Sequence, residues 1–89
     1  MKVRYTKSFD KDIESVKHDT DIKQRLTSLI KDLKKSENIY EIKNTKKIEG
    51  YLNYFRIKIG DYRLGFKIVD HELELIRFLH RKDIYRRFP

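Results

Sequence analysis

Hydrophobic positions along the 89-residue chain change their period, and the change divides the chain into two kinds of element. Residues Lys2–Tyr5 alternate, with Val3 and Tyr5 on one side and Lys2 and Arg4 on the other, which predicts a short strand. Ser8 is placed to cap a helix whose first turn carries Asp10 and Asp12, and Phe9, Ile13 and Val16 form its apolar face up to about His18. After a polar break at His18-Asp19-Thr20, a second helix is expected from Asp21 to Lys35. Ile22, Leu26, Leu29, Ile30 and Leu33 line its inner face, and Lys23, Arg25, Lys31 and Lys34 its outer face. So short a turn between two amphipathic helices predicts an antiparallel hairpin. Residues Ser36–Lys47 read as a polar connection anchored by Tyr40 and Ile42.

From Leu52 onward the period is two. Phe55, Ile57 and Ile59 alternate with Tyr54, Arg56 and Lys58. Gly60-Asp61 makes a hairpin turn, in the reverse of the favoured Asp-Gly order, and Tyr62, Leu64, Phe66 and Ile68 alternate with Arg63, Gly65 and Lys67. A second turn at Asp70-His71 leads into a strand over Glu72–Leu79, where Leu73 and Leu75 fall out of phase with Ile76 and Phe78. A bulge, or burial on both faces, accounts for the slip. The basic tail His80–Pro89 has room for a short helical turn after Asp83. The expected fold is α+β, with residues 1–89 as one domain. An N-terminal strand and a two-helix hairpin precede a three-stranded antiparallel meander, with both helices on one face of the sheet.

Composition narrows the class. Twenty-two Lys and Arg against 14 Asp and Glu give a formal charge of +8, which points to a polyanionic partner, nucleic acid or an acidic protein. Charged residues make up 40% of the chain, but six Tyr and five Phe at evenly spread positions argue against disorder. The absence of Cys excludes a disulfide frame, a thiolate nucleophile and any Cys-ligated metal. No apolar run resembles a signal peptide or a membrane span, so a cytoplasmic protein without membrane attachment is expected.

Strand alternation selects the candidate chemistry. If Phe55, Ile57 and Ile59 face the helices, then Tyr54, Arg56 and Lys58 face the other way, joined by Arg63 and Lys67 from the next strand. Like charges on neighbouring strands disfavour folding, and no Glu is offered opposite them. This is either a solvated polar face or a site for phosphate, and the nearby basic tail (Arg77, Arg81, Lys82, Arg86, Arg87) favours phosphate. His80 is a candidate acid or base by its ordinary pKa near ~6.5, or a strand-end histidine with a structural or substrate contact. His18 and His71 fall in predicted turns. The three histidines lack metal-ligand spacing, so no metal and no cofactor is expected. Glu49 reads most simply as an ion-pair partner of Lys46 or Lys47, while Phe9, Phe55 and Phe66 read as core and Phe88 as a core cap or an exposed ring.

Three segments together carry a family resemblance: Lys46-Lys47-Ile48-Glu49-Gly50, Tyr54 through Arg63, and Phe78 through Arg86 with its His-Arg-Lys-Asp-Ile-Tyr core. They resemble the RelE/ParE toxin superfamily of type II toxin–antitoxin systems, the RelE branch more than the ParE branch. The resemblance implies an endoribonuclease that cuts mRNA in the ribosomal A site. It assigns the two basic residues of one strand to Arg56 and Lys58, the arginine opening the next to Arg63, and the C-terminal arginine and tyrosine to Arg81 and Tyr85. His80 and Lys82 join Arg56 and Lys58 as substrate contacts, with Lys58, Arg63, Arg81 and Tyr85 as catalytic residues. Arg56 stands where that family often has Lys. A guanidinium keeps its proton and is a poor proton acceptor, so Arg56 is assigned to phosphate rather than to base chemistry. Elements that follow the tyrosine in longer relatives are not expected after Pro89.

RNA is cleaved without a metal when its own 2′-OH attacks the adjacent phosphate. The reaction needs a base for the 2′-OH, cations on the phosphate oxygens and an acid for the leaving 5′-oxygen. Arg63 and Arg81 suit the cationic task, Lys58 suits phosphate binding or the base, and Tyr85 suits stacking or proton transfer. The expected partners are mRNA, the ribosome and a cognate antitoxin. A ParE-like gyrase inhibitor and a non-catalytic nucleic-acid-binding module remain as alternatives.

Overall fold

Helix α1 (Lys7–Ser15) starts at Lys7 because Thr6, and not Ser8, caps it: the Thr6 hydroxyl accepts the Phe9 amide at 3.1 Å. The same hydroxyl donates to the Leu75 carbonyl at 2.9 Å, so one side chain both opens the helix and ties it to the sheet. Asp19 caps α2 (Thr20–Lys35) in the same manner, accepting the Ile22 amide at 3.1 Å. Lys34 and Lys35 in its last turn complement the helix dipole.

The computed structural model describes residues 1–89. Strand β1 (Lys2–Tyr5) precedes the two helices; after them come a 3₁₀ turn (Ile39–Glu41), β2 (Thr45–Lys47), β3 (Tyr54–Ile59), β4 (Tyr62–Val69), β5 (Glu72–His80) and α3 (Arg81–Arg87). The sheet order is β1-β5-β4-β3-β2, with β1 parallel to β5 and every other pairing antiparallel. The expected α+β arrangement is present, and the sheet gains a fifth strand. Residues Thr45–Lys47, read from sequence as part of a connection, pair with Phe55–Ile57. The buried anchor of that connection is Ile39, 4% exposed; Tyr40, though 69% exposed, meets the ring of core Phe55 edge-on at 6.2 Å, and Ile42 packs at the edge of the core.

Both hairpin turns fit the right-handed twist of their strands. A positive φ of 57° falls on Gly60, the first loop position, as a type II′ turn requires, and this explains the Gly-Asp order. Asp70 and His71 both take positive φ, the type I′ pattern.

Strand β5 serves both faces of the sheet through a bulge. Its register passes from Gly65↔Arg77 to Phe66↔Leu75, which leaves Ile76 without a partner on β4. Leu73, Leu75 and Phe78 therefore all join the main core with Phe9, Ile22, Leu26 and Leu33 from the helices. Ile76 and Leu79 meet a smaller cluster with Ile84 and Phe88 on the opposite side. That cluster docks α3, so the tail folds back over part of the face that carries Arg56. Phe88, left open by the sequence, is buried.

Beyond the end of β1, the edge of β5 is closed by a side chain. Asp12 accepts from Arg77 at 2.8 and 3.0 Å and from the Phe78 amide at 2.9 Å. Because α1 starts at Lys7, only Asp10 lies in its first turn; Asp12, expected there, falls one turn later and is 7% exposed, and Arg77 is not one of the free cations of the tail.

The Phe88 ring lies on Gly65, where an added Cβ would sit 2.7 Å from ring carbons. Gly65→Ala is expected to destabilise the protein by about 1–3 kcal/mol. In urea denaturation the loss should be largely absent when Phe88→Ala is already present, because the clash has then been removed.

Candidate nucleic-acid interface

Register places the cations of the open face in adjoining rows. Lys46 lies opposite Arg56, which lies opposite Gly65; Lys58 lies opposite Arg63. Because Gly65 has no side chain and Phe88 fills its place, the long arms of Arg56, Lys58 and Arg63 lie beside α3. Together with Asn44, Thr45, Lys46 and Tyr85 they line an open recess of about 460 Å³.

Each arm is held differently. Arg56 is half-buried and its guanidinium lies 4.7 Å from the centre of the Tyr85 ring, joining sheet to helix by a cation–π contact. Arg63 is half-buried and one of its nitrogens donates to the carbonyls of Gly60 at 3.1 Å and Tyr62 at 2.9 Å. Those bonds fix the arm and leave the rest of the fork free. Lys58 is exposed, and Tyr85 is 60% exposed.

The charge balance differs sharply between the two ends of the sheet. At the β1–β5 end, Lys2 and Arg4 pair with Glu72 and Arg4 also pairs with Glu74. The Arg4 hydrogen bond holds the Glu72 carboxyl below its ordinary range. At the β2–β3–β4 end no carboxylate pairs with Lys46, Arg56, Lys58 or Arg63. Glu49, expected as an ion-pair partner for Lys46 or Lys47, forms no such pair. The result is a cluster of cations with unused donors, two of them held in place at Arg56 and Arg63, suited to a phosphate.

The remaining candidates stand at the start of α3, outside the recess walls. Arg81 donates its amide to the Asp61 carbonyl at 2.8 Å, fastening the helix to the turn that leads into Arg63, and its side chain is exposed. His80 caps α3: its Nδ1 accepts the Lys82 amide at 3.2 Å, and its ring meets Tyr62 edge-on. Lys82 is exposed. Strand alternation identifies Arg56, Lys58 and Arg63, but Asn44 and Thr45 escape it because a three-residue strand has no readable period. Lys46 enters the sequence reading as an ion-pair candidate for Glu49 and within the resemblance, not as a site residue. No three His, Asp or Glu side chains converge on a common point, and no helix is long and apolar enough to cross a membrane.

Comparison with known proteins gives the family and the fold. Residues 3–85 match the family described as ParE toxin of type II toxin–antitoxin system, parDE. Toxin RelE3 of Methanocaldococcus jannaschii is 39% identical over 90 residues, covering the whole of both chains. In the RelB–RelE antitoxin–toxin complex from Methanococcus jannaschii, a chain superposes with a TM-score of 0.83 at 35% identity, covering 97% of this chain and 99% of that one. A chain of the Escherichia coli DinJ–YafQ toxin–antitoxin complex shares the fold, with a TM-score of 0.77 at 16% identity over 93% and 94% of the two chains. The family match over residues 3–85, the full-length relative and the shared fold lead to one assignment: this chain belongs to the RelE/ParE superfamily of type II toxin–antitoxin toxins.

Proposed function

We propose that this toxin is an mRNA endoribonuclease acting in the ribosomal A site. The observation that carries the reading is the contrast in charge pairing: cations at one end of the sheet are matched with Glu72 and Glu74, whereas Lys46, Arg56, Lys58 and Arg63 are left unmatched around a recess. A scissile phosphate supplies the missing negative charge. The 2′-oxygen of the preceding nucleotide attacks phosphorus, the bond to the 5′-oxygen breaks, and the products are a 2′,3′-cyclic phosphate and a 5′-hydroxyl. Arg63 and Arg81 hold the phosphate oxygens as charge builds on them, and Arg56 binds phosphate from the face of Tyr85. Lys58 takes the 2′-proton or shares the phosphate. Tyr85 stacks a splayed base on its free side or assists proton transfer to the leaving oxygen.

Lys82 and His80 extend the substrate contacts along the start of α3. An uncontrolled nuclease harms its host, so a cognate antitoxin is part of the proposal. Two of the related toxins are seen in complexes with antitoxins. An acidic or amphipathic antitoxin segment would cover the basic face or displace α3. Action in the cytoplasm follows from the proposed ribosomal target.

Primer extension on mRNA programmed into ribosomes with an empty A site tests the reading. Wild type is expected to give a cut within the A-site codon, and a folded Arg81→Ala protein is expected to give little or none. The family match named for ParE also motivates a gyrase assay. No cut by wild type, together with blocked supercoiling, would transfer the assignment to gyrase inhibition. Binding of RNA without turnover would leave a non-catalytic module.

A further inference from the structure

The basic recess does not end at Arg56. Two residues back along β3, about 7 Å away, Tyr54 faces the same side opposite Lys67, whose ammonium lies 5.5 Å from the Tyr54 ring centre. Tyr54 stands in a file of three rings. Phe88 is buried beneath it at 5.8 Å between ring centres, and Tyr51 lies beyond it at 5.9 Å. Exposure rises along the file from 5% at Phe88 to 49% at Tyr51.

The loop that carries Tyr51 is built to hold its shape. Gly50 and Asn53 take positive φ, the Ile48 amide donates to the Tyr54 carbonyl at 2.9 Å, and the Ile68 amide donates to the Asn53 carbonyl at 3.0 Å. Lys67 lies opposite Glu74 on β5 but forms no ion pair with it, Glu74 pairing with Arg4 instead. An exposed ring on a fixed loop, beside an unpaired cation and in line with a phosphate recess, has the make-up of a single-strand stacking platform.

We propose that Tyr51, supported by Tyr54 and Lys67, stacks an unpaired base of the mRNA outside the nucleotide pair held at Arg56, Lys58 and Arg63. The inference rests on the endoribonuclease reading and extends its substrate site along the strand. Lys67 takes the intervening phosphate. Because every base has a π-face, the contact strengthens binding without selecting sequence.

Binding to ribosomes programmed with an mRNA whose A-site nucleotides carry 2′-O-methyl groups measures the contact without cleavage. Tyr51→Ala is expected to weaken binding roughly 5- to 100-fold, while Tyr51→Phe, which keeps the ring, binds like wild type. An abasic nucleotide walked along the mRNA should reach one position where wild type loses as much, and where Tyr51→Ala causes no further loss. Additive losses at every position would overturn the stacking role. Unchanged binding by Tyr51→Ala while Arg56→Ala weakens it would remove this inference and leave the endoribonuclease reading standing. Indifference to both substitutions would remove both. Intact mRNA binding with lost antitoxin capture would reassign the loop to a protein partner and refute the proposal.

Discussion

Arg63→Ala protein is expected to fold normally and to cleave A-site mRNA roughly 10²- to 10³-fold more slowly than wild type. The arm is anchored before any substrate arrives, since Gly60 and Tyr62 carbonyls hold one nitrogen at 3.1 and 2.9 Å. Donors fixed in advance contribute most where negative charge grows during reaction, because they need no reorganisation at that moment. The carbonyls they leave behind belong to a surface hairpin and can bond to water, so the fold loses little. Single-turnover cleavage alongside a thermal melt checks both halves. Arg63→Lys should fall between the two, keeping the charge but losing the fork that grips two oxygens. Full-rate cleavage by a folded Arg63→Ala protein would exclude the residue from the site.

Asp12→Ala should produce the largest loss of stability, about 3–5 kcal/mol in urea denaturation. One carboxylate serves the Arg77 guanidinium twice and the Phe78 amide once, at distances of 2.8–3.0 Å, and both side chains are largely shielded from water. Its removal leaves a cation and a backbone donor unpaired in a place water reaches poorly. Asp12→Asn should cost less, because an amide oxygen can still accept from Phe78. Combining Asp12→Ala with Arg77→Met should recover much of the loss by removing the stranded charge. A single Asp12→Ala variant within 1 kcal/mol of wild type, by the same ~3–5 kcal/mol yardstick, would show that the edge is held by something else.

Most of the fold is legible in the period of the apolar residues. Phe55, Ile57 and Ile59 against Leu64 and Phe66 define a hairpin, and the phase slip between Leu75 and Phe78 announces the bulge that the register contains. What escapes is decided by single contacts. Thr6 and Ser8 are equally suited to cap a helix in sequence terms; Thr6 prevails because its hydroxyl also reaches the Leu75 carbonyl. Asp12 looks like any helix-start carboxylate until Arg77, 65 residues away, is folded against it. For the candidate site, alternation gathers Arg56, Lys58 and Arg63. Bringing Tyr85 onto Arg56 requires α3 to turn back, which depends on Ile84 and Phe88 finding Leu79 and the notch at Gly65.

The unmatched cations have an energetic meaning for the free protein. Lys46, Arg56, Lys58 and Arg63 repel one another on adjoining strands, so the native sheet carries a Coulombic strain that an anion would relieve. Any polyanion that binds there raises the melting temperature by mass action, whether it is cut or merely held. On the proposed function, messenger RNA and an acidic inhibitor would compete for the same relief. Conversely, a variant that neutralises one of these side chains sheds that repulsion as it loses grip on an anion, and at Arg56 and Arg63 the relief is offset by the lost Tyr85 contact and the lost hairpin bonds.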